Sequence, residues 1–261
     1  MAPPEKHHST LLVFTLGARC ESRRRQLLPE NLHPIEDHLH QTCLDATLAA
    51  GRDAGCRLEV SSPLELVLPG DVRRRPQNGR DFGSRLELAF EETFAEHGGA
   101  VLLVGSDVPD LDASHLQNAL KSLEEDSDRV VIGPSPDGGF YLLAAARPLR
   151  AALREVRWRC RETLRSLKRA LRREGRPVVL LPALADLDRR SDLEQWLATA
   201  LRRRGHGLAA WCAVGRRLID RLARALASLR RHWPEEAYFR TRRRDAWTSP
   251  LRGPPVSSLS F

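Results

Sequence analysis

Acidic residues follow the apolar segments of this sequence at three places. In AVLLVGSDVPDLD, residues 100–112, the side chains of Asp107, Asp110 and Asp112 come directly after an apolar run and a glycine. Carboxylates held at the end of a buried strand can bind Mg²⁺ or Mn²⁺, the hard cations that bridge phosphate groups. We expect Asp107 to be a metal ligand and Asp112 to cap the next helix, whereas Asp110 could take either role.

The second acidic segment is GPSPDGGFYLL, residues 133–143. Asp137 precedes Gly138 and Gly139, so its carboxylate would meet little steric bulk from its neighbours. An Asp-Gly pair before an apolar run is also a strong turn signal, and from this segment alone a plain hairpin turn is the favoured interpretation. Asp137 becomes a site candidate only when it is considered together with the other strand ends.

The third acidic segment is LPALADLDRRSDL, residues 181–193, which contains Asp186, Asp188 and Asp192. One of these carboxylates could contact a metal or an acceptor, while Asp192 fits a helix cap better. Ligands of open α/β sheets bind outside the carboxyl ends of the strands, so three such ends would face one crevice. This convergence supports a functional site more strongly than any single segment does.

Glycines and cations that could bind phosphate follow the first apolar segment. In nucleotide-binding α/β folds, a loop such as LGARCESRRRQLLP, residues 16–29, binds phosphate through backbone N–H groups and arginine side chains. A polar segment at residues 75–90, RPQNGRDFGSRLELAF, could contact base, ribose or phosphate. The candidates in these two segments are Gly17, Arg19, Arg23, Arg24, Arg25, Gln77, Asp81 and Arg85. Because the sequence has neither GxxxxGK[ST] nor GxGxxG, a P-loop kinase and a nicotinamide dehydrogenase are unsupported.

Short apolar segments alternate with amphipathic patterns along most of the chain. Strands are predicted at residues 11–16, 57–60, 100–104, 129–133, 140–145 and 177–181, and helical spacing occurs at 35–50, 86–93, 116–123 and 164–171. Strands that are apolar throughout and alternate with helices predict an α/β fold with a mostly parallel sheet covered on both faces. Gly51, Gly98 and Gly175 stand where helices are expected to end.

The composition limits the function classes. A net charge of +8 comes from arginine runs such as SRRR and VRRRP, which attract phosphates, nucleic acids or anionic lipids but are equally typical of a GC-rich genome. No nucleic-acid-binding motif accompanies them, so nucleic acid is not expected as a partner.

The five cysteines form no CxxC pair, which argues against a zinc site and against disulfides and favours the cytoplasm as the location. The apolar run at residues 11–16 is too short for a signal peptide or a membrane span.

The remaining residue patterns predict no other chemistry. His38 and His40 would point to different faces of a helix, so we expect them to be solvated. A GxSxG hydrolase signature is absent. Trp158 fits core packing better than a pocket wall.

The order of these motifs resembles a bacterial family of transferases with the GT-A (nucleotide-diphospho-sugar transferase) fold, labelled glycosyltransferase-like or radical-SAM/selenodomain-associated. The resemblance covers residues 10–195 and rests on QNGRDFGSRLELAF, LLVGSDVPDLDASHLQNAL, VVIGPSPDGGFYLLA, VRWRCRETLRSL and LLPALADLDRRSDL in that order. It implies a three-layer α/β/α fold with a mostly parallel mixed sheet, similar to that of the molybdenum-cofactor and phospholactate nucleotidyltransferases.

The resemblance also implies roles for particular residues. Asp107 of the GSD motif would hold a divalent metal, Mg²⁺ or Mn²⁺, and the donor diphosphate, and Asp137 would lie across the same crevice. Either Asp137 or Asp188 would complete the metal shell or orient the acceptor, which makes these three aspartates the catalytic candidates. Ser106, Gly138 and Gly139 join the phosphate-binding candidates.

Two segments depart from the family pattern. The first loop of the family usually reads PGxVKTRL, whereas here it is ESRRRQLL, with Arg24 at the lysine position and Gln26 at the arginine position. The family's WST is WRC here, which places Arg159 and Cys160 where small hydroxyl residues are usual. The stretch between RLEV and RPQNGRDFG is also short for the family. These departures allow either a respecialised or an impaired active site.

The functional hypotheses differ in the bond that is made. The first is metal-dependent glycosyl transfer from a nucleotide sugar to an unidentified acceptor, in which the metal neutralises the departing diphosphate. The second is nucleotidyl transfer from a nucleoside triphosphate to a phosphorylated acceptor. The third is a nucleotide-binding or regulatory protein that has lost catalysis.

The domain hypothesis divides the chain into four parts. Residues 1–9 form a flexible N-terminus, 10–205 the transferase domain, 206–247 a basic helical extension and 248–261 a loose tail rich in Pro, Ser and Gly. Apolar residues recur at helical spacing in the extension, at Trp211, Val214, Leu218, Leu222, Ala225 and Leu229. Residues 208–232 could thus bind a membrane surface or a protein partner, but packing of this stripe on the domain is the favoured interpretation.

Overall fold

The architecture comes from a computed structural model that describes residues 9–202 and 214–232. Within these residues seven strands form one sheet in the order β3-β2-β1-β4-β6-β5-β7. The strands are β1 (Thr10–Phe14), β2 (Arg57–Ser62), β3 (Val72–Pro76), β4 (Val101–Gly105), β5 (Val130–Pro134), β6 (Phe140–Ala145) and β7 (Val178–Leu180). All neighbours pair in parallel except β6, which is antiparallel to both β4 and β5. The predicted mostly parallel mixed sheet is confirmed.

Helices cover both faces of this sheet. The helices are α1 (Ala18–Arg25), α2 (His33–Asp53), α3 (Phe82–His97), α4 (Ala113–Glu125), α5 (Arg150–Arg154), α6 (Thr163–Arg173), α7 (Arg190–Arg202) and α8 (Val214–His232). Apolar residues of α2 and α4 pack with one face of the sheet, and those of α3, α5 and α6 pack with the other. The protein therefore has the expected three-layer α/β/α architecture.

The layers follow from the apolar strands. Along β1, Leu11 and Val13 pack in the core with α2 and α4, while Leu12 packs in the core with α3. Successive side chains of a strand point to opposite faces, so a strand that is apolar throughout is buried on both sides. This explains why the strand segments of the sequence lack an alternating pattern.

The helix ends match the sequence at most positions. Asp112 caps α4, as predicted, by accepting hydrogen bonds from the backbone N–H groups of Ser114 and His115. Gly98 is the residue that ends α3, and Gly175 follows α6. The prediction for Gly51 was wrong, because Gly51 lies inside α2, where a Cβ would come within 2.5 Å of a Leu11 methyl group. Its lack of a side chain lets α2 lie close to the sheet.

The structure corrects three further expectations. Residues 18–25, predicted to be part of a phosphate-binding loop, form helix α1. The arginine run VRRRP is strand β3 at one edge of the sheet, and Arg75 within it is buried. His40 is not solvated but 1% exposed, with its Nε2 3.7 Å from a carboxylate oxygen of Glu36. His40 lies on the buried face of α2, with Glu36, Leu39 and Cys43.

The apolar stripe of the extension packs on the domain, as the favoured interpretation held. Leu218, Ile219, Leu222 and Leu226 of α8 are buried in a cluster with residues of α2 and α7. Trp211 and the tail at residues 248–261 lie outside the described residues, and the domain boundaries stay predictions. Among the residues that the structure describes, no helix is both long and apolar enough to cross a bilayer.

Candidate functional site

Three aspartates from two strand ends meet at the carboxyl edge of the sheet. Asp107 lies two residues beyond β4, and Asp186 and Asp188 lie on the segment between β7 and α7. One carboxylate oxygen of each aspartate lies within 4.8 Å of the others, and we call these three residues the acidic triad. Oxygen atoms of three carboxylates are ligands that Mg²⁺ and Mn²⁺ prefer.

Backbone contacts hold the segment that carries Asp186 and Asp188 against the end of β4. The N–H group of Leu187 donates to the carbonyl oxygen of Asp107 over 3.0 Å, and that of Leu184 donates to Pro134 over 3.2 Å. The Leu187 side chain between the two aspartates is 1% exposed and packs in the cluster with α2 and α8. The placement of the acidic triad therefore depends on apolar burial as well as on backbone hydrogen bonds.

Arg25 lies among these carboxylates. Its guanidinium forms ion pairs with Asp107 and Asp188 through different nitrogen atoms, and its Nε donates to Glu21 over 3.1 Å. Nη1 also donates to the carbonyl oxygen of Leu187 over 3.1 Å. The Arg25 side chain is only 6% exposed. Burial opposes its charge, but Asp107 and Glu21 outweigh burial and raise the pKa of Arg25.

The pKa values of two carboxyl groups near Arg25 shift in opposite directions. Burial, followed by the charges of Asp107 and Asp137, raises the pKa of Asp186 to about 7. Burial also acts to raise the pKa of Glu21, but Arg25 and Arg24 outweigh it and lower that pKa to about 2. A cation bound beside Asp186 would favour its charged form and so oppose both causes of the raised pKa.

Asp137 lies at the turn that joins β5 to β6. The antiparallel pairing of these strands confirms the hairpin that the Asp-Gly pair predicts. The Asp137 carboxylate accepts a hydrogen bond from the N–H group of Gly139 over 2.8 Å and is exposed. Asp137 is not a member of the acidic triad, although its charge reaches Asp186 and raises the pKa of that residue. The turn that carries Asp137 is therefore close enough to the acidic triad for its charge to act on Asp186.

Gly138 connects this turn to the segment that carries WRC. Its carbonyl oxygen accepts a hydrogen bond from the N–H group of Leu164 over 2.9 Å. Gly138 has a φ of +95°, and a Cβ on it would lie 2.3 Å from the carbonyl oxygen of Arg161. A glycine is therefore required both by the backbone conformation and by the close approach of the two segments.

Changing Gly138 to alanine is expected to destabilise the protein by about 3 kcal/mol, since the Cβ meets a backbone oxygen that cannot rotate away. Gly175→Ala is the matched control, because Gly175 also has a positive φ of +69° but no heavy atom within 4 Å of its added Cβ. It should lose only about 1 kcal/mol. Urea denaturation of both variants measures the difference, and equal losses would contradict the role assigned to the close approach.

The WRC segment packs on aromatic residues beside this turn. Trp158 lies between Phe82 and Phe140, with ring centroids 5.6 and 6.1 Å away, and belongs partly to the core, as expected. Arg159 has a positive φ of +58°. The Cys160 thiol is partly exposed and donates to the carbonyl oxygen of Arg157.

The phosphate-binding candidates near β1 share a network at the strand ends. The Gln77 amide donates to the carbonyl oxygens of Thr15 and Ser61 over 3.1 and 2.9 Å. Ser106 donates to the Thr15 hydroxyl over 2.7 Å, and the N–H group of Gly17 donates to the same hydroxyl over 3.0 Å. Thr15 was not predicted from the sequence, since a threonine at the end of an apolar strand gives no distinctive signal. Ser106, Gln77 and Gly17 therefore line one edge of the sheet.

The other candidates lie on helix surfaces. Arg19, Arg23 and Arg24 of α1 are exposed, and Arg24 forms an ion pair with Glu21. Arg85 donates to the carbonyl oxygen of Gly79 over 3.1 Å. Asp81 caps α3 by accepting from Ser84, so its carboxylate already has a structural role.

A second group of acids stabilises β2 and β3 on the α3 side of the sheet. Glu59 is fully buried and accepts two hydrogen bonds from Arg75 and one from Thr93. Glu96 and His97 of α3 complete this group, in which His97 Nε2 lies 2.6 Å from Glu59. Because Arg75, Thr93 and His97 between them contact both oxygens of the buried Glu59, the arrangement is that of a structural ion-pair network.

Comparison with known proteins supports the recognised fold. Residues 35–159 match the model of a family described as "Uncharacterized protein conserved in bacteria (DUF2064)". No curated protein matches the sequence. The matched residues include the GSD and DGG motifs on which the resemblance inferred from the sequence rests.

Several solved structures match this chain at low sequence identity. A candidate nucleotide-diphospho-sugar transferase from Desulfovibrio desulfuricans G20 is 23% identical with a TM-score of 0.67, over 82% of this chain and 97% of its own. A nucleotidyl transferase from Methanothermobacter thermautotroptrophicus is 18% identical, with a TM-score of 0.48 over 75% and 98% of the chains. A Mycobacterium tuberculosis H37Rv protein in complex with manganese is 18% identical, with a TM-score of 0.47 over 74% and 99%. The first of these shows the fold of this chain.

Proposed function

We propose that the protein is a transferase that uses a nucleotide-activated donor, with glycosyl transfer from a nucleotide sugar as the reaction. The observation that carries this proposal is the acidic triad of Asp107, Asp186 and Asp188 at the carboxyl edge of a sheet with the nucleotide-diphospho-sugar transferase fold. That edge is where open α/β sheets bind their ligands. A carboxylate cluster there suits a substrate whose leaving group is a metal-bound diphosphate.

The residues present fit a divalent metal. Asp107 would hold it together with Asp186 and Asp188, which offer hard oxygen ligands within 4.8 Å of one another. Burial, followed by the charges of Asp107 and Asp137, raises the pKa of Asp186 to about 7, and a bound cation would offset both effects by favouring the charged carboxylate. When bound, Mg²⁺ or Mn²⁺ would neutralise the charge that develops on the departing diphosphate.

The other site residues would bind and orient the two substrates. Asp137, exposed at the turn across the crevice, would orient the acceptor hydroxyl, with Gly138 and Gly139 leaving room for it. Ser106, Gln77 and Gly17 at the strand ends would contact the nucleotide. In the reaction the acceptor oxygen bonds to the anomeric carbon of the sugar while the bond to the diphosphate oxygen breaks; a nucleoside diphosphate leaves, and the proton of the acceptor hydroxyl is released to water.

Nucleotidyl transfer is the second candidate. The exposed arginines of α1, Arg19, Arg23 and Arg24, favour it because they provide cations for a triphosphate on the same helix as Arg25, which contacts the acidic triad. In that reaction an acceptor phosphate attacks the α-phosphate, and pyrophosphate leaves.

The product separates the two reactions. The protein is first screened by thermal shift against nucleoside triphosphates and nucleotide sugars, with and without Mn²⁺, and the stabilising donors are then incubated with candidate acceptors. Release of a nucleoside diphosphate supports glycosyl transfer, and release of pyrophosphate supports nucleotidyl transfer. Stabilisation without either product would indicate a nucleotide-binding protein that does not catalyse transfer. If no nucleotide shifts the melting temperature, both transferase proposals are wrong.

A further inference from the structure

Arg25 occupies the space between two members of the acidic triad. Its guanidinium bridges Asp107 on one side and Asp188 on the other, and these are two of the three carboxylates that would hold the metal. The same arginine donates to the carbonyl oxygen of Leu187, between the two aspartates of the segment before α7. A single side chain from α1 thus joins the two acidic segments of the site.

This contact is built into the fold. The Arg25 side chain is 6% exposed, and Glu21, which is 7% exposed, accepts from its Nε one helical turn earlier. In contrast, the neighbouring Arg24 is 36% exposed, and the acid that it pairs with is Glu21. A buried arginine that is fixed by four acceptors does not rearrange without a competing charge.

We propose that Arg25 sets the metal affinity of the site, because its guanidinium and a divalent metal compete for Asp107 and Asp188. This inference rests on the proposed metal site and adds to it a resident cation supplied by the chain itself. The carboxylate oxygens that the guanidinium contacts cannot at the same time be free ligands for a metal. A metal that used these two oxygens would have to displace Arg25, and a metal that used the other oxygen of each carboxylate would still be repelled by the guanidinium charge. We expect the site of this protein to require more metal for saturation than it would with an uncharged residue at position 25.

Titration of the full-length, metal-free protein with Mn²⁺ alone, followed by calorimetry, tests the proposal. Arg25→Met removes the cation but keeps much of the side-chain volume, and we expect it to lower the Mn²⁺ dissociation constant by about ten-fold or more. Arg24→Met removes the same charge from the same helix without touching the acidic triad, and its dissociation constant should stay near that of the wild type. Metal binding by Arg25→Met that is unchanged or weaker would overturn the proposal.

A second variant covers the case in which Arg25→Met does not fold. Arg25→Lys keeps the charge, but a single ammonium group cannot bridge both carboxylates as the guanidinium does. It should bind Mn²⁺ more tightly than the wild type, and a wild-type dissociation constant would contradict competition by Arg25. Since no nucleotide is present in these titrations, their outcome is separate from that of the nucleotide screen, which decides the proposed function.

Discussion

Changing Asp107 to asparagine is expected to lower the rate of transfer by about a hundred-fold or more and to remove the effect of Mn²⁺ on donor binding. Asp107 is the member of the acidic triad that follows the central strand β4, and the backbone of Leu187 is anchored on its carbonyl oxygen. Asparagine keeps the shape and this backbone contact but removes the negative charge that a metal diphosphate needs. The measurements are initial rates of donor turnover and thermal shifts with and without Mn²⁺.

Asp110→Asn is the matched control for this change. Asp110 lies three residues further along the same turn, and its carboxylate accepts a hydrogen bond from the indole of Trp196 over 3.3 Å. An asparagine carbonyl oxygen can accept the same bond, so rate and metal response should stay close to the wild type. Asp107 is not the anchor that we propose if Asp107→Asn retains metal-dependent binding, or if both variants lose it equally while remaining folded.

The strand ends of the site could be predicted because they depend on local patterns. A strand that is apolar throughout, followed by Gly105 and an aspartate, specifies both a buried β4 and a carboxylate at its carboxyl end. In the same way, the Asp-Gly pair at residue 137 specifies the hairpin between β5 and β6. Strands and turns of this kind depend on residues that are close together in the chain, so they can be predicted directly from the sequence.

The contacts that join the acidic triad to Arg25 could not be predicted in the same way. Arg25 is 82 residues from Asp107 and 162 residues from Leu187, so no spacing rule joins them. Three aspartates lie between residues 181 and 193, and no local pattern singles out Asp186 as a site residue. Asp186 belongs to the acidic triad because the buried Leu187 anchors its segment. Such placement is decided by tertiary packing.

Strand β3 shows why charge patterns mislead. Three arginines in VRRRP predict a solvated, basic segment, and the strand was missed for that reason. In the structure these side chains face acids: Arg73 contacts Glu96, Arg74 contacts Glu65, and Arg75 reaches the buried Glu59. An edge strand can therefore be strongly basic when its neighbours supply the carboxylates.

Changing Glu59 to glutamine is expected to lower the free energy of unfolding by about 3 kcal/mol, or the melting temperature by about 6–12 °C. Glu59 is fully buried and forms two hydrogen bonds with Arg75, whose side chain is 8% exposed. Glutamine would leave that guanidinium buried without its main counter-charge. Urea denaturation at pH 7 measures the loss, and Glu96→Gln is the control, because Glu96 binds the same arginine over 2.8 Å but is 38% exposed. Water can replace Glu96, so its loss should be far smaller.

The pH dependence of this variant supplies an independent check. Burial acts to raise the pKa of Glu59, but hydrogen bonds from Arg75 and His97 outweigh it and lower the pKa below the usual 4.5. A carboxyl group with a lowered pKa in the folded protein stabilises that state above its unfolded pKa and loses this contribution as the pH falls through the folded value. The stability difference between wild type and Glu59→Gln should therefore be constant near neutral pH and shrink below about pH 4.5. A difference that stays constant down to pH 3 would mean that lost packing, and not the ion pair with Arg75, is what destabilises the variant.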